Sequence, residues 1–189
     1  MPESFPVRSS SRQAMATDKA FTLVQAAKRG NDTAFERLIE PVLSPAYRLA
    51  CGMLHDPQAA EDAVQESAVK AWRRLGQLRE ADSLTNWFLS IVANECRSAR
   101  RSRWLSVLSW NEPATEQHGH DDSILTGMEV RRALRAIDYD KRLVIVLRWY
   151  MDLSLDSIAS VTGTSVHAVE ARLHRGMAEL RRRMEARQC

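Results

Sequence analysis

Cysteine is scarce and scattered: Cys51, Cys96 and Cys189 are odd in number, far apart and form no CxxC pair. That excludes a disulfide framework and a zinc ribbon, and it fits a reducing cytoplasm. Long hydrophobic runs are missing too. No apolar stretch approaches the ~18 residues that a membrane span requires, so no membrane insertion is expected. The opening residues, MPESFPVRSSSRQAMATD, hold arginines and serines but no apolar segment. They do not form a secretory signal, and residues 1–17 read as a disordered extension. Strand signals are nearly absent, and neither an internal repeat nor a long low-complexity tract occurs.

Helical periodicity is what remains, and it is nearly everywhere. The chain has 189 residues, 44% hydrophobic and 27% charged, which is room for one or two domains with real cores. The net charge of +3 conceals an uneven layout. Arg97, Arg100, Arg101 and Arg103 put four arginines within seven residues, and Arg131 onward is again rich in cations. Between them, from Trp104 to Val130, there is no lysine or arginine, while Glu112, Glu116, Asp121, Asp122 and Glu129 occur. Two basic blocks around an acidic strip suggest two nucleic-acid-facing modules joined by a tether.

The expected architecture is all-α, with two helical domains. A first helix runs over about 18–29 and stops at Gly30-Asn31. Asn31 or Asp32 caps a second from Thr33, which Pro41 and Pro45 interrupt. A further helix carries Tyr47, Leu49, Ala50 and Met53 to His55. Pro57 and Gln58 open the next, and Ser83 caps one more, through residue 103. The first domain is therefore 18–103, the linker 104–126 and the second domain 127–189, with helices over about 128–137 and 141–150 before the C-terminal motif.

That motif, residues 153–184, reads as a helix-turn-helix. Leu155, Ile158 and Ala159 form one apolar stripe. Thr162-Gly163-Thr164-Ser165 breaks it, Gly163 suiting a left-handed position and Ser165 a helix cap. A second stripe runs Val166, Val169, Leu173, Met177, Leu180 and Met184, in steps of three and four. It leaves His167, Glu170, Ala171, His174, Arg175 and Arg182 outside, small, polar or basic residues sized for a major groove. A plain helical hairpin with a solvated basic face explains less of this pattern.

In the helix from Ala59 to Leu75, Ala63, Val64, Ala68, Ala71, Trp72 and Leu75 form the inner side. Asp62, Gln65, Glu66, Val69 and Arg73 form the outer side. Asp62 and Glu66 are one turn apart and share a face. Paired catalytic acids or metal ligands would require a cleft and a third ligand, which nothing nearby supplies. A solvated face and a docking face remain. No catalytic residue, metal or cofactor is expected. His118, His120, Asp121 and Asp122 read as a flexible acidic strip, because no further ligand is evident.

Here the chain resembles a known family. Ala60-Glu61-Asp62-Ala63-Val64-Gln65-Glu66, followed by Ala71-Trp72, is similar to the AEDxxQExxxxAW segment in region 2 of extracytoplasmic-function (ECF) sigma factors. Asn86-Trp87-Phe88-Leu89-Ser90-Ile91-Val92-Ala93-Asn94, followed by Arg100-Arg101, resembles their WLxxIAxN…RR segment. The C-terminal motif resembles their region 4, including Ile158-Ala159 and Arg172-Leu173-His174-Arg175. The three occur in the family's order over most of residues 20–185.

The resemblance implies a factor that directs core RNA polymerase to promoters. It implies that Asp62, Gln65, Glu66 and Val69 dock on the largest-subunit clamp helices, that the flap is also contacted, and that an anti-sigma factor holds the protein in check. An acidic patch on a basic protein is repelled by DNA and suits a protein partner. The resemblance further implies that region 2 opens the −10 element, with Asn94, Arg97, Arg100, Arg101 and Trp87 as candidates. An extruded base requires hydrogen bonds to its edge, which Asn94 offers, and cations along the phosphates, which the arginines offer. Trp87 and Phe88 also suit a core. Region 4 would read the −35 element through Ser165, His167, Glu170, Ala171, Arg172, His174 and Arg175, although His174 beside Leu173 also suits packing.

Two features depart from the family pattern. Where members usually carry Gly-Thr-Val-Lys/Arg-Ser, this chain has His167-Ala168-Val169-Glu170-Ala171. Glu170 cannot neutralise a phosphate but can accept from a cytosine amino group. Trp104, Leu105, Val107, Leu108 and Trp110 form an apolar cluster that suits, in falling order, an extension of the last region 2 helix, packing on region 4, or a partner. The alternatives to a sigma factor are a helix-turn-helix regulator that binds duplex DNA without joining polymerase, a carboxylate metalloenzyme built on Asp62, Glu66 and the His118/His120 strip, and a purely structural adaptor.

Overall fold

Gly30 and Asn31 separate two helices, as the sequence predicts. The structure, a computed structural model, describes residues 21–78, 83–109 and 123–186, and every regular element among them is helical. A short helix, α1, spans 21–28. The Asn31 side chain accepts from the Ala34 N–H at 2.8 Å and caps α2 (Asp32–Leu54), satisfying one of the donors a helix start leaves unpaired.

The expected break at Pro41 and Pro45 does not occur, and α2 is one helix of 23 residues. Each proline removes a hydrogen bond and crowds the preceding turn, costing about 3 kcal/mol. The same helix buries Leu38, Ile39, Val42, Leu49 and Met53 on one face. At roughly 1.5–3 kcal/mol per side chain, that burial outweighs the two prolines. Pro41 also sits on the exposed side, where water can reach the carbonyl it leaves unpaired.

Helix α3 (Pro57–Arg74) is capped by Asp56, which accepts from the Ala59 N–H at 3.0 Å. Its buried side is Ala60, Ala63, Ser67 and Ala71, small residues that allow close approach to its neighbours. Trp72 meets the Phe35 ring edge-on with centroids 4.9 Å apart. A 3-10 turn, Leu75–Gln77, ends the segment, and Lys28 Nζ donates to the Leu78 carbonyl at 2.7 Å. Helix α4 (Leu84–Ser109) completes the N-terminal bundle, with Phe88, Leu89, Val92 and Cys96 fully buried. Burial and the Glu95 charge push the Cys96 thiol up to about 12, which makes it unreactive.

Helix α4 continues past residue 103 to Ser109, the extension that the apolar cluster suggested. Trp110, His118 and His120 lie outside the described residues. The helix expected over about 128–137 begins earlier, as α5 (Ser123–Ala136). After α6 (Tyr139–Ile145) the chain passes into a π-helical turn, Val146–Tyr150, that leaves Trp149 and Tyr150 exposed. Then come α7 (Leu155–Thr162) and α8 (Val166–Glu185). Their shared core holds Leu143, Val144, Leu147, Ile158, Val161, Val169, Leu173 and Leu180. Gly176 lets α8 lie close to α6, because a Cβ there would sit 3.0 Å from Ile145 Cδ1.

The two units pack on each other. Arg142, only 3% exposed, donates to the Met53 carbonyl at 3.1 Å, as well as to Arg135 and Ile137 of its own unit. Burial and the charge of Arg100 lower its pKa to about 10. Tyr139 Oη donates to the Ala93 carbonyl at 2.5 Å. Arg97 pairs with Asp140 and lies over the Tyr139 ring, 4.7 Å from its centroid. Beside them, Gly52 of α2 faces Val146, and a Cβ at position 52 would be 2.9 Å from Val146 Cγ1.

Candidate functional site

Three surfaces carry the residues singled out in the sequence. The first is the helix-turn-helix. Ser154 caps α7 by accepting from the Ser157 N–H at 3.2 Å. Gly163 ends it at φ 63, the left-handed position that its lack of Cβ permits. Thr162 Oγ1 donates to the Ile158 carbonyl at 2.7 Å and lies 2.9 Å from Thr164 Oγ1, which fixes the turn. Ser165 accepts from the Ala168 N–H at 3.2 Å and caps α8 as anticipated.

On α8, Val169, Leu173, Gly176 and Leu180 are buried, while Val166, Met177 and Met184 are half-buried. The predicted stripe is therefore the inner face. His167, Glu170, His174 and Arg175 are exposed, so His174 does not pack beside Leu173. His167 Nδ1 lies 3.9 Å from the Glu170 carboxylate. Ala171 and Arg172 are half-buried, and Arg172 reaches back to Thr164 Oγ1 at 3.4 Å. His167, Glu170 and His174 recur at intervals of three and four, with Arg175 beside His174, so they line one face.

The second surface is on α3. Asp62, Gln65, Glu66 and Val69 are all exposed, Val69 at 44%. Gln58 Nε2 donates to Asp62 Oδ1 at 3.3 Å. Lys70 bridges Glu66 at 3.3 Å and Glu95 of α4 at 2.5 Å, and these carboxylates raise its pKa. Sequence reasoning missed what lies next to this face. Ile39, Leu43, Ser44, Tyr47, Glu61, Val64, Gln65 and Ala68 line an open groove of about 500 Å³ between α2 and α3. Reading α2 as broken at its prolines separated Leu43 from Tyr47 and hid the wall they form. Among the described residues no cluster of three histidine, cysteine or acidic side chains could hold a metal.

The third surface is on α4. Asn94, Arg97, Arg100 and Arg101 are exposed along its polar side. Trp87 is half-buried and Phe88 wholly buried, so Phe88 belongs to the core. Arg97 differs from its neighbours in that the C-terminal unit already engages it, through Asp140 and Tyr139.

This is a helical protein with a C-terminal helix-turn-helix and an exposed acidic face on α3, and comparison with known proteins places it. Residues 38–106 match the family described as sigma-70 region 2, and residues 127–180 match sigma-70 region 4. It is 28% identical over 136 residues to RNA polymerase sigma factor SigV of Bacillus subtilis (strain 168), covering 71% of this chain and 81% of that protein. It is 29% identical over 183 residues to ECF RNA polymerase sigma factor SigG of Mycobacterium tuberculosis (strain H37Rv), covering 81% of this chain and 48% of that protein. A solved structure of CnrH in complex with the cytosolic domain of CnrY superposes with a TM-score of 0.66 at 26% identity, covering 89% of this chain and 98% of that one.

The chain belongs to the sigma-70 family and is of the extracytoplasmic-function type. Its function is that of an RNA polymerase sigma factor rather than of a regulator acting apart from polymerase. No helix among the described residues is long and apolar enough to cross a membrane.

Proposed function

We propose that this chain binds core RNA polymerase through α3, reads the −35 element with α8 and holds the −10 non-template strand along α4. The observation that carries this reading is the division of labour along one chain. An exposed acidic face, Asp62, Gln65, Glu66 and Val69, stands on a different helix from the exposed polar and basic residues of α4 and α8. A face of carboxylates beside an apolar groove suits a basic protein surface such as the clamp helices. The flap is the natural further partner of the C-terminal unit.

At −10, Asn94 meets a base edge and Arg97, Arg100 and Arg101 meet phosphates, with Trp87 at their side. At −35, His167, Glu170, His174 and Arg175 face the major groove. Ala171 allows close approach, and Ser165 with Arg172 keeps the helix start in place. The protein works by binding in the cytoplasm, without cofactor or metal. An anti-sigma factor is its natural antagonist, and the similar chain CnrH is solved in complex with a protein partner, the cytosolic domain of CnrY.

Run-off transcription with purified core polymerase on a promoter library tests the whole assignment. Transcripts are expected to start downstream of shared −10 and −35 elements. Asp62→Lys is expected to weaken core binding by about 2 kcal/mol or more, since it sets like charges against each other. Unchanged affinity for core would remove α3 as the docking helix.

A further inference from the structure

The outer face of α3 and the polar side of α4 are assigned to different partners, yet one side chain joins them. Lys70 lies between the two helices, 3.3 Å from the Glu66 carboxylate on one side and 2.5 Å from that of Glu95 on the other. Glu66 stands on the docking face and is exposed, whereas the Glu95 side chain is only 13% exposed. A carboxylate so far withdrawn from water requires a cation beside it, and Lys70 supplies one. The hydrogen bond to Glu95, more than that to Glu66, raises the Lys70 pKa, so its ammonium stays charged.

Glu95 stands where a negative charge is least welcome. It is the only acidic residue of α4, directly after Asn94 and two positions before Arg97. Both neighbours lie within one helical turn of it, about 5 Å along the axis and inside a Debye length of roughly 8–10 Å. A strand held there feels the Glu95 charge to the extent that Lys70 leaves it uncancelled. In the free protein that cancellation is incomplete, because two carboxylates share one ammonium. A cation brought to Glu66 from outside leaves Lys70 to Glu95 alone.

We propose that Lys70 is a positioning residue that couples the two faces: when the basic surface of core polymerase engages Glu66, Lys70 is left wholly to Glu95, and the −10 strand binds α4 more tightly. The inference rests on the docking and −10 assignments given above. Linkage makes the effect reciprocal, so whatever factor core adds to the affinity for the strand, the strand adds to the affinity for core. Glu95, which belongs to neither face, becomes the group through which polymerase binding is felt at the DNA.

The full chain and core polymerase test this together. The affinity of the protein for core is measured without and with a saturating −10 non-template oligonucleotide, and the ratio of the two is the coupling. Lys70→Met keeps the aliphatic stem and removes the charge, and it should lower the ratio by about threefold or more. Lys70→Arg, which can still span both carboxylates, should restore it. Glu95→Gln removes the charge that Lys70 cancels, so it should lower the ratio while leaving oligonucleotide binding by the polymerase complex at least as tight as in the wild type. If Lys70 served only to hold α3 against α4, its loss would weaken core binding equally with and without oligonucleotide, and the ratio would not move.

An unchanged ratio in Lys70→Met overturns the proposal. Should that variant fail to fold, an unchanged ratio in Glu95→Gln overturns it alone. A scrambled oligonucleotide that binds the wild-type complex as tightly as the −10 sequence would overturn the promoter reading instead, and this inference with it.

Discussion

Arg172 and Arg175 stand on the same helix and carry the same charge, but the fold gives them different work. Arg175 is exposed, whereas Arg172 is half-buried and reaches Thr164 in the turn. Arg175→Ala should therefore cost about 1–3 kcal/mol in −35 recognition if the residue reads a base, as measured by binding to matched and mismatched duplexes. Arg101→Ala should instead weaken DNA binding across sequences and make its salt dependence shallower by about one unit of slope. His55 carries a different signature. Burial, then the charges of Arg135, Arg142 and Arg131, lower its pKa from 6.5 to about 4. In the unfolded chain it takes up a proton near 6.5, but in the folded protein only near 4. Acidification through that window therefore favours the unfolded chain, on the order of 2 kcal/mol, and the stability present above pH 6.5 is lost as pH falls. Denaturant midpoints measured between pH 7 and 4 should fall steeply in the wild type and less in His55→Gln.

Among the helices, local signals were legible where local chemistry decides. The caps at Asn31 and Ser165 and the left-handed Gly163 are set by short-range hydrogen bonds and sterics, and each was readable from neighbouring residues. Helix α2 was misread because a local rule about proline lost to burial contributed by partners distant in the chain. That imbalance can be measured. Pro41→Ala restores an N–H to an exposed stretch of α2 without disturbing its buried face. Thermal unfolding should show a gain of about 1–3 kcal/mol. The π-helical turn at Val146–Tyr150 had no sequence signal either. It follows from packing that buries Val146 and Leu147 while Trp149 and Tyr150 point outward.

At the scale of the whole molecule, the two-unit organisation was legible from charge blocks and motif order, but the seam was not. Its hydrogen bonds join residues 46 and 89 positions apart, and no periodicity reports on pairs so distant. The same holds for the groove beside Gln65, which two helices build together. The α3 face, in contrast, was legible because a single helix displays it. The span of 89 residues between Met53 and Arg142 has a consequence for biosynthesis. The N-terminal bundle leaves the ribosome before the arginine that will satisfy the end of α2. At about 5–20 residues per second, roughly 4–18 seconds pass between Met53 and Arg142. From its own emergence Arg97 waits 43 residues, about 2–9 seconds, for the Asp140 it pairs with, so each newborn chain begins with its two units apart. Stalled nascent chains should remain cleavable near His55 until Arg142 has emerged, and become resistant afterwards.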